Sequence, residues 1–346
     1  MELLKELCEA SGAPGFEDRI RDIYRREIEP LVDRVETDGI GNVIAVKNGK
    51  GEAPRKVMLA GHLDEIGFVV RFVDDNGFLR LHPLGGFDPK TLIARRVCIR
   101  TREHGDLTGV IGTKPIHIMK DEERKKLPEI DDLFVDTGLE AEAVASRIRI
   151  GDPVTLQASF IQVGDYYTAK SLDNRVSIYT LVEALRRLGE HNVEIYAVAT
   201  CQEEVGLRGA QTAAHRIAPD IGVAIDVTLA CDVPGSKPDQ HITDLRKGAA
   251  IKILDSSFIA APKLVEHFRQ LAEEHAIPYQ MEILPRGGTD AGAIQRAANA
   301  VPSITLSIPT RYLHSTVETI YGPDLEAVVD LLARFLETAD EVDLEY

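Results

Sequence analysis

Tryptophan is missing from the 346-residue chain and aromatic residues make up only 5% of it. That leaves little material for the base-stacking surfaces of single-strand nucleic-acid binders. Basic residues are in deficit as well: 40 Lys+Arg against 56 Asp+Glu give a formal net charge of −16. Phosphate contacts need clustered Lys and Arg, so no nucleic-acid partner is expected. No stretch reaches the roughly 20 apolar residues of a membrane span, so no membrane association is expected. The opening MELLKELCEASGAPG lacks the basic-then-apolar layout of a secretory signal. Cys8, Cys98, Cys201 and Cys231 lie far apart with no CxxC pair. We read them as reduced thiols of a cytoplasmic protein, not as a disulfide framework.

What is present points to a folded enzyme-sized chain. Hydrophobic residues reach 44% and charged residues 28%, enough to bury a substantial core. At roughly 100–200 residues per domain, the length suggests two domains. Helical and strand patterns alternate at both ends. Phe16–Glu29, Asn174–Leu188, Pro262–His275 and Asp324–Leu336 read as helices; Asn42–Lys47, Lys56–Ala60, Val193–Thr200, Ile221–Asp226, Ala249–Leu254, Tyr279–Leu284 and Ser303–Ile308 read as strands. Such alternation builds a sheet covered by helices on both faces. Between them, Phe68–Val73, Phe78–Leu84, Val97–Thr101, Asp106–Ile111 and Pro153–Ala158 are short β-rich runs punctuated by turns, the texture of a small barrel-like unit. The expected architecture is therefore α/β: a mixed sheet sandwiched by helices (residues 1–66 and 164–346) with an inserted β-barrel-like domain (67–163). The cluster Glu122–Lys126 reads as a solvated face.

Several polar residues stand where an apolar strand stops. Lys56–Ala60 runs into His62 and Asp64, Val193–Thr200 into Glu203 and Glu204, Ile221–Ile225 into Asp226, and Ser303–Ile308 towards His314. In an open α/β sheet the carboxyl ends of the strands share one edge, where ligands bind. His62, Glu203, Glu204, Asp226 and His314 would converge there, joined by Asp173 just before the helix at Asn174. Singly, each has a plain structural explanation; Asp226 could cap a helix, and paired glutamates often begin one. Together, two imidazoles and four carboxylates form a nitrogen–oxygen donor set that suits zinc, cobalt or manganese. One closed structural site needs only four ligands, and neighbouring acids without cations would repel. The surplus points to a pair of ions about 3.5–4 Å apart that share a carboxylate and a water, with a free carboxylate to take the water's proton.

At this point the sequence resembles the M42 glutamyl/leucyl aminopeptidases, whose archaeal members form tetrahedral shells. The stretches that carry the resemblance are AGHLDEIGF (60–68), PLGGFDPKTLIARR (83–96), SLDNR (171–175), CQEEVGLRGA (201–210), AIDVTLACDVPG (224–235), GGTDAGAI (287–294) and RYLHSTVE (311–318). They span nearly the whole chain. The resemblance implies a zinc-peptidase-like fold and two divalent ions per subunit, zinc or cobalt. His62 and Asp226 would be terminal ligands of one, Glu204 and His314 of the other, and Asp173 would bridge them. Asp64 would fix the His62 imidazole, and Glu203 would act as the general base on an ion-bridging hydroxide. The inserted domain corresponds to the family's oligomerisation domain, which implies a homo-oligomer, a dodecamer built from dimers. Gly288 and Thr289 lie in a glycine-rich loop that relatives place beside the substrate; a plain tight turn is the other reading of it. Ser177 and Ile178 depart from the small residues or cysteine of many relatives.

The implied reaction removes the N-terminal residue from peptides, with a neutral, leucine-like first residue as the expected preference. Two rivals stay open on sequence grounds. A two-metal deacylase or carboxypeptidase acting on N-acyl amino acids could use the same ligands, and a shell subunit with a vestigial site would need no chemistry at all.

Overall fold

The computed structural model describes residues 1–298 and 300–344. Its centre is set by four apolar runs, Glu194–Thr200, Lys56–His62, Ile221–Leu229 and Ser303–Arg311, which lie side by side in that order, all parallel. Parallel strands are covered on both faces, which is why these segments read as near-continuous hydrophobic runs. Successive side chains still go to opposite layers. Val57 and Leu59 enter the larger core, beneath the helices Leu172–Arg187, Pro262–Glu274 and Gly322–Thr338. Met58 and Ala60 enter the smaller one, beneath Arg208–Ile217 and Asp290–Gln295. Phe268 and Phe335 stack at 4.4 Å in the larger core. The short N-terminal helices Glu2–Glu9 and Asp18–Ile28 close that layer with Leu4, Leu7, Ile20 and Tyr24.

The sheet is mixed, as expected. Val43–Lys47 adds antiparallel to Glu194–Thr200 on one side, and Glu318–Tyr321, Tyr166–Ala169 and Ile161–Val163 continue antiparallel on the other. Ala249–Leu254 pairs antiparallel with Ser303–Arg311 and parallel with Tyr279–Ile283. A second unit is a closed barrel of the strands Gly67–Val73, Leu79–Leu84, Phe134–Asp136, Asp106–Gly112, Arg96–Arg100 and Pro153–Leu156. Its interior is filled by alternate residues: Phe68 and Val70, Leu79 and Leu81, Val97 and Ile99, Val154 and Leu156. The barrel ends at Leu156, before the expected boundary at 163. Ile161–Val163 turns back through Gly164 at φ 60° to form a hairpin on the edge of the large sheet.

Some elements left no clear pattern. Arg208–Ile217 buries Gly209, Ala210, Ala213, Ala214 and Ile217, a face made mostly of small residues. Glu318–Tyr321 and Tyr166–Ala169 have four residues each, too short for a period to stand out. The EERKK cluster lies on the exposed short helix Asp121–Lys125 and its C-cap Lys126.

Candidate active site

The parallel strands run towards one edge, and the register gathers residues there: His62 and Thr200 end their strands, while Asp226 lies three residues before the end of Ile221–Leu229. His62 pairs with Thr200, and Asp226 with Ser307. Beyond Thr200 the chain turns through Gln202 at φ 56° and presents Glu203 and Glu204. Asp173 sits at the amino end of the helix Leu172–Arg187 with extended, non-helical backbone. His314 follows the strand Ser303–Arg311 at φ 59°. These six side chains all line one cavity of about 530 Å³.

Asp173 stands in the middle of the cluster. Its Oδ1 lies 3.2 Å from His62 Nε2 and its Oδ2 lies 3.3 Å from His314 Nε2. On the first side, His62 Nε2 is 3.8 Å from Glu203 Oε2 and 3.9 Å from Asp226 Oδ1. On the second, His314 Nε2 is 3.6 Å from Glu204 Oε1. Donor atoms of His62, Asp173 and Glu204 lie within 4.8 Å of one another, and so do those of His62, Glu203 and Asp226.

Both imidazoles are oriented by carbonyls. His62 Nδ1 meets the main-chain oxygen of Asp64 at 3.0 Å, and His314 Nδ1 meets that of Gly86 at 2.8 Å. With each Nδ1–H donated to a carbonyl, each Nε2 faces the carboxylates, and loss of the Nε2 proton leaves the tautomer a metal ligand needs. Gly86 belongs to the inserted unit's loop after Leu79–Leu84, so the barrel reaches into this site. The Asp64 carboxylate stands 3.7 Å from the His62 ring. Its shorter bonds go elsewhere: it accepts the main-chain N–H of Glu203 at 3.0 Å and of Glu204 at 3.1 Å.

Sequence reasoning missed Glu318. One of its oxygens accepts the N–H of Asp173 at 3.0 Å and the other accepts the N–H of His314 at 2.8 Å. A buried acid on a four-residue strand carries no local signal, although it lies inside the RYLHSTVE stretch. The cavity walls were also out of reach: Leu207, Val227, Leu229, Leu284 and Leu313 line it, with Arg286. Gly288 and Thr289 line it too, but the Thr289 hydroxyl is engaged inward, donating to Asp255 Oδ2 at 3.0 Å and meeting Thr305 Oγ1 at 2.8 Å.

The electrostatics of the cluster are those of too many acids in too little water. Burial, the opposing His62 charge notwithstanding, raises Glu203 far above the usual carboxylate range, helped by Asp226 and Glu204. Burial and Asp173 push Glu204 up to about 8. Asp226 is raised by burial and by Asp173. Burial disfavours charge on His314, but Asp173 and Glu204 outweigh it and lift the group to about 10. Asp173 goes the other way: both imidazoles hold its carboxyl below the usual range despite burial. Among the described residues, no Lys or Arg forms an ion pair with Asp173, Glu203, Glu204 or Asp226. Oxygen and imidazole donors, short of compensating positive charge and already converging, fit divalent cations.

The chain matches the family described as M42 glutamyl aminopeptidase over residues 41–331. It is 37% identical to a lysyl aminopeptidase of Pyrococcus furiosus, over 99% of this chain and 98% of that one. Among solved structures, it is similar to a TET aminopeptidase from a marine-sediment Thaumarchaeota archaeon (TM-score 0.94, 38% identity, 99% of this chain and 96% of that one). It is similar also to the Pyrococcus horikoshii TET1 peptidase, which can assemble into a tetrahedron or a large octahedral shell (TM-score 0.85, 33% identity, 97% and 98% covered).

Proposed function

From the premise that the chain belongs to the M42 glutamyl aminopeptidase family and is an aminopeptidase, we propose that it removes N-terminal residues with two divalent cations, zinc or cobalt. His62 and Asp226 would hold one ion, Glu204 and His314 the other, and Asp173 both. The observation that carries this is the division of the Asp173 carboxylate, one oxygen towards each imidazole at 3.2 and 3.3 Å. Bound there, the cations would supply Lewis acidity to the scissile carbonyl and make the attacking water more acidic. Glu203, on the cavity wall and outside the proposed ligand set, takes the water's proton and returns it to the leaving amine as the C–N bond breaks. Asp64 and Glu318 are positioning residues: each spans two main-chain N–H groups of the residues that do the work.

The apolar wall of Leu207, Val227, Leu229, Leu284 and Leu313 supports a neutral, leucine-like first residue. Arg286, the one Lys or Arg among the described cavity-lining residues, disfavours a basic one. We further propose a cytoplasmic dodecamer built from dimers, with the barrel as the oligomerisation unit. Its exposed apolar side chains Phe72, Val110, Ile116, Ile118 and Leu127 support that role, as does the assembly of the Pyrococcus horikoshii relative. The test is a panel of aminoacyl-anilides and N-acetyl-leucine, run before and after chelation and cobalt reloading. Leucyl-anilide hydrolysis that vanishes and returns, with N-acetyl-leucine untouched, is expected. Hydrolysis of N-acetyl-leucine alone would refute the aminopeptidase reaction.

A further inference from the structure

Glu65 and Lys170 form an ion pair whose side chains are only 4% and 5% exposed, and the hydrolytic steps above make no use of it. Lys170 Nζ donates to the two Glu65 oxygens at 2.8 and 2.7 Å and to Ser171 Oγ at 3.0 Å. Ser171 Oγ in turn donates to Glu65 Oε2 at 2.5 Å, and the main-chain N–H of Gly12 donates to Oε1 at 3.1 Å. Arg175, fully buried, makes a longer 3.3 Å contact with Glu65 and donates to the carbonyls of Leu7 and Ala10. Glu65 N–H closes the loop on Gly12 O at 3.0 Å.

Buried ion pairs lose hydration that their mutual attraction only partly returns, so stability alone gives little reason to keep one. Burial indeed lowers the Lys170 ammonium's affinity for its proton. The place of the pair in the chain supplies the reason. Glu65 follows His62 by three residues, and Lys170 precedes Asp173 by three. His62 Nε2 and Asp173 Oδ1 face each other at 3.2 Å. Ser171, between Lys170 and Asp173, has φ 58°, left-handed backbone that a serine keeps when its surroundings hold it there. Glu65 and Lys170 are the groups that grip its hydroxyl.

We propose that Glu65 and Lys170 are positioning residues that lock the turn carrying His62 to the turn carrying Asp173, and so set the spacing at which these side chains receive divalent cations. The inference rests on the two-cation reading of the site. Whereas Asp64 and Glu318 grip the functional residues directly, this pair acts through the main chain on either side of them. It also anchors Ala10 and Gly12 to the same point.

Cobalt titration of the chelated protein tests it, because cobalt's visible absorption reports ligand number and geometry while affinity is read independently of turnover. E65Q/K170M removes the ion pair yet leaves an acceptor for Gly12 and Arg175. It should lose about 10–100-fold in cobalt affinity and show altered absorption, with metal-free thermal stability close to that of the unaltered chain. K170R keeps the charge and displaces it, and should shift affinity and absorption in the same direction. Affinity and absorption matching the unaltered chain, in either variant, overturn the proposal whatever happens to stability. An affinity loss that merely tracks a loss of metal-free stability shows a plain structural role and overturns it too. Should the double variant not fold, K170R decides the matter. If the unaltered chain itself binds no cobalt, it is the two-cation reading that fails.

Discussion

The main-chain N–H of Asp173 donates to the carboxylate of Glu318 at 3.0 Å, across 145 residues of sequence. The second Glu318 oxygen holds His314 N–H in the same way, so one acid fixes two residues that face the same spot. In Glu318→Gln, an amide NH2 must confront one of those two donors. We expect cobalt affinity to fall about 10–100-fold, measured by calorimetric titration of the chelated protein. Unchanged affinity would remove Glu318 from the site.

Glu203 is the proposed proton carrier and not a proposed ligand. Glu203→Gln should lower kcat by about 10²–10⁴-fold while the cobalt content, measured by elemental analysis, stays that of the unaltered chain. Near-normal turnover in the loaded variant would mean that another group handles the proton.

In the metal-free protein burial and Asp173 push Glu204 up to about 8, while against the effect of burial Asp173 and Glu204 lift His314 to about 10. A raised folded-state pKa contributes stability below the unfolded value and loses it as pH climbs through the folded one. For Glu204 that window runs from 4.5 to about 8, and for His314 from 6.5 to about 10. Metal-free stability from these groups therefore falls as pH rises. Cations need the deprotonated ligands, so their contribution grows over the same range. The gap in Tm between cobalt-loaded and chelated protein should widen from pH 6 to pH 8.5, with protons released on binding at pH 7. A gap that narrows would contradict this protonation scheme.

Arg286 is exposed, and no ion pair involving it is found among the described residues. Arg286→Glu should raise the lysyl-to-leucyl ratio of kcat/KM by about 3–10-fold, a modest figure because exposed charges are screened. An unchanged ratio would place the first side chain away from this wall.

Much of the fold was legible because burial on two faces leaves unbroken apolar runs: VMLAG before His62 and IGVAI before Asp226 announce strands, although the second runs on past Asp226 to Leu229. The barrel showed itself through its turns, such as Asp74–Gly77, where Gly77 supplies φ 85°. The convergence of His62 and His314 followed from strands sharing an edge, with Asp173 joining them from the start of a helix. What stayed hidden depends on pairings that no local pattern records. The Asp64 carboxylate reaches Glu203 and Glu204 across 139 and 140 residues. Glu65 meets Lys170 across 105. Such partners are set by the packed chain as a whole, and a buried acid in the sequence looks like any surface one.

The account turns on two cations acting with one carboxylate base. Titrating cobalt into chelated protein while recording leucyl-anilide turnover, with bound ions counted at each step, tests it most directly. Activity should rise only as the second ion per chain is filled. Full turnover at one ion per chain, or with none, would contradict it.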